Sequence, residues 1–86
     1  MSAERYAVAH ARSRGEVEAH LPANYEAITG HDADPVGEWK NYVIVGRDVA
    51  GWALEDVIGR LAIADIRCRE HGDRNDAETA ACAAMN

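Results

Sequence analysis

The stretch from Lys40 to His71 limits what this chain can fold into more than any other part. Tyr42-Val43-Ile44-Val45 is a run of aromatic and β-branched side chains bounded by Asn41 and by Gly46-Arg47-Asp48, as a β-strand requires. Val43 and Val45 point to one face, Tyr42 and Ile44 to the other. Both faces are apolar, so the strand is covered on both sides, by its own chain or by an oligomer. Gly51 ends the extended run, and Trp52 to Glu70 reads as one long helix. At 100° per residue, Leu54, Val57, Ile58, Leu61, Ala64 and Cys68 fall on one continuous arc, the core face. Asp56 with Arg60 and Asp65 with Arg69 form acid-before-base i,i+4 pairs, roughly 0.2–0.5 kcal/mol each. The arginines near the helix end suit its dipole, and Gly72 is a fitting stop.

Two features break this pattern. Asp65 lies within the apolar arc, where a carboxylate must be paired or protonated. A salt bridge to Arg69 or a backbone donor explains it more simply than a specificity element at an interface. Ile63 and Ile66 fall on the opposite side. Scattered isoleucines are common on surfaces, but with Gly59 and Ala62 they predict a second contact face, filled by the C-terminal tail or another subunit.

Size and charge set further bounds. Eighty-six residues make one domain near the lower limit for a self-sufficient core, where association helps. Fifteen acidic residues against nine basic ones, only one a lysine, leave a net charge of −6. That balance argues against a broad phosphate-binding surface, though a local arginine patch stays open. Cys68 and Cys82 are the only cysteines; two are weak grounds for a disulfide, and Cys68 reads as a buried thiol. Ser2 to Arg14 is polar and alanine-rich, unlike a leader, and no stretch is long enough to span a bilayer. The expectation is a cytoplasmic protein with no membrane segment.

Elsewhere the signals are shorter. Ala3 to Arg12 supports either a helix by propensity or a strand by alternation, and its alanines tip the reading to helix. Ser13-Arg14-Gly15-Glu16 matches a capping box opening a short helix that Pro22 ends by Leu21; the rival is a strand with Val17, Ala19 and Leu21 alternating. Tyr25 to Thr29 reads as a strand, and Gly30-His31-Asp32-Ala33-Asp34-Pro35 as a loop. The two strands then form an antiparallel hairpin with the long helix across one face. After Gly72, residues 73–86 form a tail, either a short helix capped by Asn75 or Asp76 or a frayed end.

No catalytic, cofactor or metal site emerges. His31-Asp32-Ala33-Asp34 lacks calcium-loop spacing. His10, His20, His31 and His71 fit no zinc pattern. No nucleophile with its base can be assembled, and Gly46 to Gly51 is not a phosphate loop. Arg60 and Arg67, two helical turns apart, with Arg74 beyond them, form the one candidate nucleic-acid strip, although a solvated helix face is the commoner explanation.

Two motifs carry a resemblance. Leu21-Pro22-Ala23-Asn24-Tyr25, followed by Val45-Gly46-Arg47-Asp48-Val49-Ala50-Gly51-Trp52-Ala53-Leu54-Glu55-Asp56, resembles small uncharacterised accessory proteins of actinobacteriophages of the mycobacteriophage type. Their pattern is Leu-Pro-x-Asn-Tyr, a strand, then Gly-Trp-Thr-Leu-Asp opening a helix with a Tyr-Val-Ile-Pro-Arg-Leu-like run. Here Ala53 stands in place of the threonine, removing a natural N-cap, and Gly59 in place of the proline. The motifs touch about half the chain and are of modest specificity. The resemblance implies a phage-encoded protein acting in the bacterial host cytoplasm and brings no catalytic or binding residues.

Together these readings predict an α+β domain over 1–72: an N-terminal helical segment, an antiparallel hairpin and a long amphipathic helix packed on the sheet. Residues 73–86 follow as a helical or frayed tail. The expected function is non-enzymatic and cofactor-free: self-association through Gly59, Ala62, Ile63 and Ile66, with a bacterial host protein as a further partner. The alternative is a nucleic-acid-binding regulator using Arg60, Arg67 and Arg74.

Overall fold

In a computed structural model, which describes residues 3–83, the chain runs β1 (Arg5–Ala11), α1 (Arg14–Glu18), β2 (Tyr25–Asp32), β3 (Lys40–Gly46), α2 (Leu54–Ile63), β4 (Arg67–His71) and α3 (Arg74–Ala83). The four strands form one antiparallel sheet in the order β2-β3-β1-β4. Element sequence and strand order together make the split βαβ, or ferredoxin-like, arrangement with one helix added at the end. β2 and β3 pair as the hairpin expected from sequence, with a register shift between Ala27 and Thr29.

The segment from Ala3 to Arg12, expected to be helical, is instead the central strand β1. Its alternation outweighs its propensity, because tertiary burial decides. Ala7, Ala9 and Ala11 are fully buried on the face that carries α1 and α2. Small side chains there leave room for Val17, Leu54, Val57 and Leu61 to reach the strand. Ser13 caps α1 as expected, its Oγ accepting from the Glu16 amide at 3.2 Å, but α1 ends at Glu18, before Pro22.

The long helix is the larger correction. α2 stops at Ile63, and Arg67–His71 is a strand. The stop is a Schellman motif: the Asp65 amide donates to the Ala62 carbonyl at 3.0 Å and the Ile66 amide to the Leu61 carbonyl at 2.9 Å. Asp65 occupies the left-handed position, φ 68°. Glycine usually sits there, but aspartate is among the few other residues that tolerate it. Ile66 then folds back onto Leu61 in the core, the apolar contact that accompanies this cap. Asp65 is therefore an exposed turn residue, and it makes no helical pair with Arg69.

At its start, α2 lacks a capping side chain on Ala53. Asp48 substitutes, accepting from the Leu54 amide at 2.9 Å, while Asp56 accepts from the Ala53 amide at 2.9 Å. Both support the orphan donors of the first turn.

The second apolar face of β3 is covered by the chain itself. Val43 packs with the fully buried Ala77 and Ala81 of α3, joined by Tyr6, Val8 and Ile28. Buried Asn41 donates to the Ala81 carbonyl at 3.1 Å, and Asp73 caps α3 by accepting from the Asp76 amide at 2.8 Å. The segment read as a tail thus contributes a helix to the packed unit; residues 84–86 lie outside the described residues.

Candidate functional site

β4 ends the sheet. Among the described residues it pairs on one side only, with β1, so its outer rim presents unpaired backbone groups. Pairing alternates its side chains: Cys68 lies opposite Ala9 on the α1/α2 face, whereas Arg67 and Arg69 lie opposite His10 and Val8 on the α3 face. An open groove of about 610 Å³ runs along the beginning of this strand. Val8, His10, Asn41, Arg67 and Arg69 line it from one side, Ile58, Ala62, Ile66 and Cys68 from the other, with Asp65 at the turn. The groove combines an apolar floor, two cations and a strand rim, the elements by which an extended peptide is recognised.

Neighbouring polar groups are already engaged. His10 donates from Nδ1 to the Asn41 side-chain oxygen at 2.9 Å. Its ring stacks on Trp39, centroids 4.9 Å apart, and Arg12 lies 4.8 Å from the same Trp39 ring. Arg67 and Arg69 have no ion-pair partner among the described residues. Burial in the core pushes the Cys68 thiol up to about 12, which makes it a packing group rather than a nucleophile.

The residues expected to form one interface separate. Ile66 is 2 % exposed and belongs to the core, while Ile63 is 90 % exposed. Gly59 and Ala62 are exposed on α2, and of the four Ala62 and Ile66 line the groove. The helix therefore carries one apolar arc rather than two, and the apolar argument for self-association through it is removed. The arginine strip also dissolves, because its members sit on three elements. Arg60 lies on α2 over the Trp52 ring at 5.6 Å, Arg67 on β4, and Arg74 on α3 beside Glu78 at 3.7 Å. Arg69, not singled out in the sequence, joins Arg67 because strand alternation places them on one face. No group of His, Cys, Asp and Glu side chains suited to a metal occurs among the described residues.

A second charged cluster ties the fold together at the far end of β1. Arg5 binds Asp48 at 2.7 Å, Glu55 at 2.6 Å and Glu70 at 2.8 Å, and the Tyr25 hydroxyl donates to Asp48 at 2.6 Å. These contacts join β1, β2, β4, α2 and the segment between β3 and α2. The Tyr25 hydroxyl, then Arg5, hold the Asp48 carboxyl below its ordinary range; Arg5 does the same for Glu55, and His31 for Glu78. Lowered carboxyl values favour the fold above the ordinary 3.8 and 4.5, and that contribution is lost as pH falls through them. Burial raises the Cys68 thiol from 9.0 and the Tyr25 hydroxyl from 10.0, a contribution lost as pH rises past those values. Urea midpoints followed by tryptophan fluorescence are expected to be flat from about pH 5 to 9, and to fall on both sides. A midpoint unchanged down to pH 3 would contradict the carboxylate assignments.

No family model matches the chain, and no curated protein or solved structure matches it. No helix among the described residues is long and apolar enough to cross a membrane.

Proposed function

We propose that the protein is a non-enzymatic interaction domain that takes up an acidic, extended segment of another protein along the outer rim of β4. One observation carries this reading: an unpaired strand edge bears two unengaged arginines on one face and lies beside Ile58 and Ala62 on the other, all of them lining one open groove. An incoming strand would gain main-chain hydrogen bonds from the rim. Carboxylates at alternate positions would lie opposite Arg67 and Arg69, and the intervening apolar side chains would enter the groove beside Ala62 and Ile58.

A second copy of the chain suits this edge poorly. A two-fold antiparallel pairing of β4 with itself keeps like faces together. Centred on Arg69 it sets Arg69 against Arg69; centred on Cys68 it sets Arg67 against Arg69. Like charges directly opposite destabilise a ladder, and charged edge residues commonly discourage such self-pairing. A nucleic acid is served less well, because the arginines that would form its strip are dispersed and Trp39 is already stacked. The likeness to phage accessory proteins points to a protein of the bacterial host as the partner.

The test is fluorescence anisotropy with a labelled peptide alternating glutamate and valine, beside its lysine-valine counterpart and a single-stranded oligonucleotide. The expected result is binding of the acidic peptide only, weakened by salt and reduced about tenfold or more in Arg67→Glu/Arg69→Glu, a loss of about 1.4 kcal/mol. Equal binding of the lysine peptide, binding of the oligonucleotide alone, or a stable dimer broken by the same substitutions would contradict the reading.

A further inference from the structure

Three side chains distant in sequence meet on the α3 face, away from the β4 groove. Cys82 lies in the last turns of α3 with its side chain exposed, and its Sγ is 3.5 Å from His31 Nδ1 on β2. The other ring nitrogen, His31 Nε2, is 2.7 Å from Glu78 Oε1, one helical turn before the cysteine. Glu78 is fixed in turn by the Thr29 hydroxyl, 3.2 Å from both carboxylate oxygens, and by Arg74.

The chemistry of the pair assigns the protons. An ionised carboxylate only accepts, so His31 must donate from Nε2 to Glu78. In the neutral ring Nδ1 then bears the lone pair, aimed at the thiol. A nucleophile, a base and a group that orients the base therefore stand in series.

We propose that Cys82 is a reactive thiol that exchanges with small disulfides, with His31 as its proton acceptor and Glu78 as the positioning residue for His31. In the reaction the Cys82 proton passes to His31 Nδ1 and Sγ attacks one sulfur of RS–SR. The new Sγ–SR bond forms as the old sulfur–sulfur bond breaks, and His31 returns the proton to the departing thiolate, giving RSH. The only oxidant consumed is the disulfide itself.

Two features favour exchange over acyl transfer. Cys82 stands about two helical turns beyond the start of α3, away from the free amides of the helix's first turn, so those amides are not beside it as oxyanion donors. Cys68, the other cysteine, faces the opposite side of the sheet beneath α2, out of reach as a resolving thiol. The product is therefore a mixed disulfide with the small thiol, and it adds the R group beside α3.

The experiment uses the full chain and 4,4′-dithiodipyridine, a neutral disulfide whose released thione is followed by absorbance. One equivalent is expected to react quickly, several-fold faster than N-acetylcysteine amide, and mass spectrometry is expected to place it at Cys82. His31→Gln is expected to slow that phase about tenfold and Glu78→Gln severalfold, with Glu78→Asp restoring part of the rate. Far-UV circular dichroism reports folding in each variant, and mass spectrometry separates labelling of Cys82 from that of Cys68, which borders the β4 groove. An unchanged Cys82 rate in a folded His31→Gln would overturn the proposal, as would a Cys82 no faster than the free amide. The ¹⁵N shifts of the His31 ring in the intact protein supply a test without any variant: the Nε2–H tautomer is expected, and the Nδ1–H tautomer would overturn it.

Discussion

Ile66→Asp is expected to unfold the protein at 25 °C, while Ile63→Asp, three residues earlier, is expected to change stability by no more than about 0.5 kcal/mol. Ile66 is 2 % exposed and packs on Leu61 where the chain turns from α2 into β4. Removing its branched side chain alone costs about 2–5 kcal/mol. A carboxylate left there without a partner adds roughly 3–5 kcal/mol more. A domain of this size has roughly 4–13 kcal/mol in total, so the sum removes most or all of it. Ile63, 90 % exposed, loses nothing by becoming charged. Circular dichroism and urea titration of the two variants check this directly. Two folded variants of equal midpoint would mean that Ile66 lies on the surface and that β4 is misplaced.

The second large effect is at a glycine. Gly46 ends β3 opposite Tyr25, and a Cβ added there would overlap the Asn24 carbonyl oxygen and the Tyr25 ring. The carbonyl belongs to the backbone that hydrogen-bonds Arg47, so neither side can yield without breaking the β2–β3 ladder. Gly46→Ala is expected to cost about 1–3 kcal/mol. Gly59, in the middle of α2 with nothing near its would-be Cβ, should behave oppositely: Gly59→Ala gains about 1 kcal/mol of helix propensity. The contrast in urea midpoints separates steric need from mere glycine content. A stabilised Gly46→Ala would show that the hairpin register is wrong.

The hairpin, the α1 cap and the apolar arc of Leu54, Val57 and Leu61 were legible because local patterning and burial agree there. β3 could also be read as covered on both faces, though not by which element. Three things were hidden. β1 shows the alternation of a strand, but its buried positions are alanines, whose propensity points to helix; only the close approach of α1 and α2 makes them right. The end of α2 is marked by Asp65 in a left-handed conformation rather than by glycine, and Ile66, Arg67 and Cys68 continue a plausible helical period. A helix continued through that turn puts Ile66 on the surface and Arg67 on one face with Arg60, whereas the turn puts Ile66 in the core and Arg67 on β4. The β4 edge, with Arg67 and Arg69 in register, could not be seen without the turn.

Cys82, His31 and Glu78 were invisible for a different reason. Cys82 and His31 are 51 residues apart, in segments read as tail and loop. Their meeting depends on α3 packing against the sheet face built by β1, β2 and β3, and no spacing along the chain encodes that.

Residue-resolved amide hydrogen exchange across residues 54–71 tests the account most directly. The turn at Asp65 and the edge strand after it predict continuous protection in α2 to Ile63, a break at 64–65, and then protection of alternate amides in β4, where every second group faces β1. Unbroken protection from Leu54 to Glu70 would show a single long helix, and with it the rim, the groove and the proposed binding mode would all be lost.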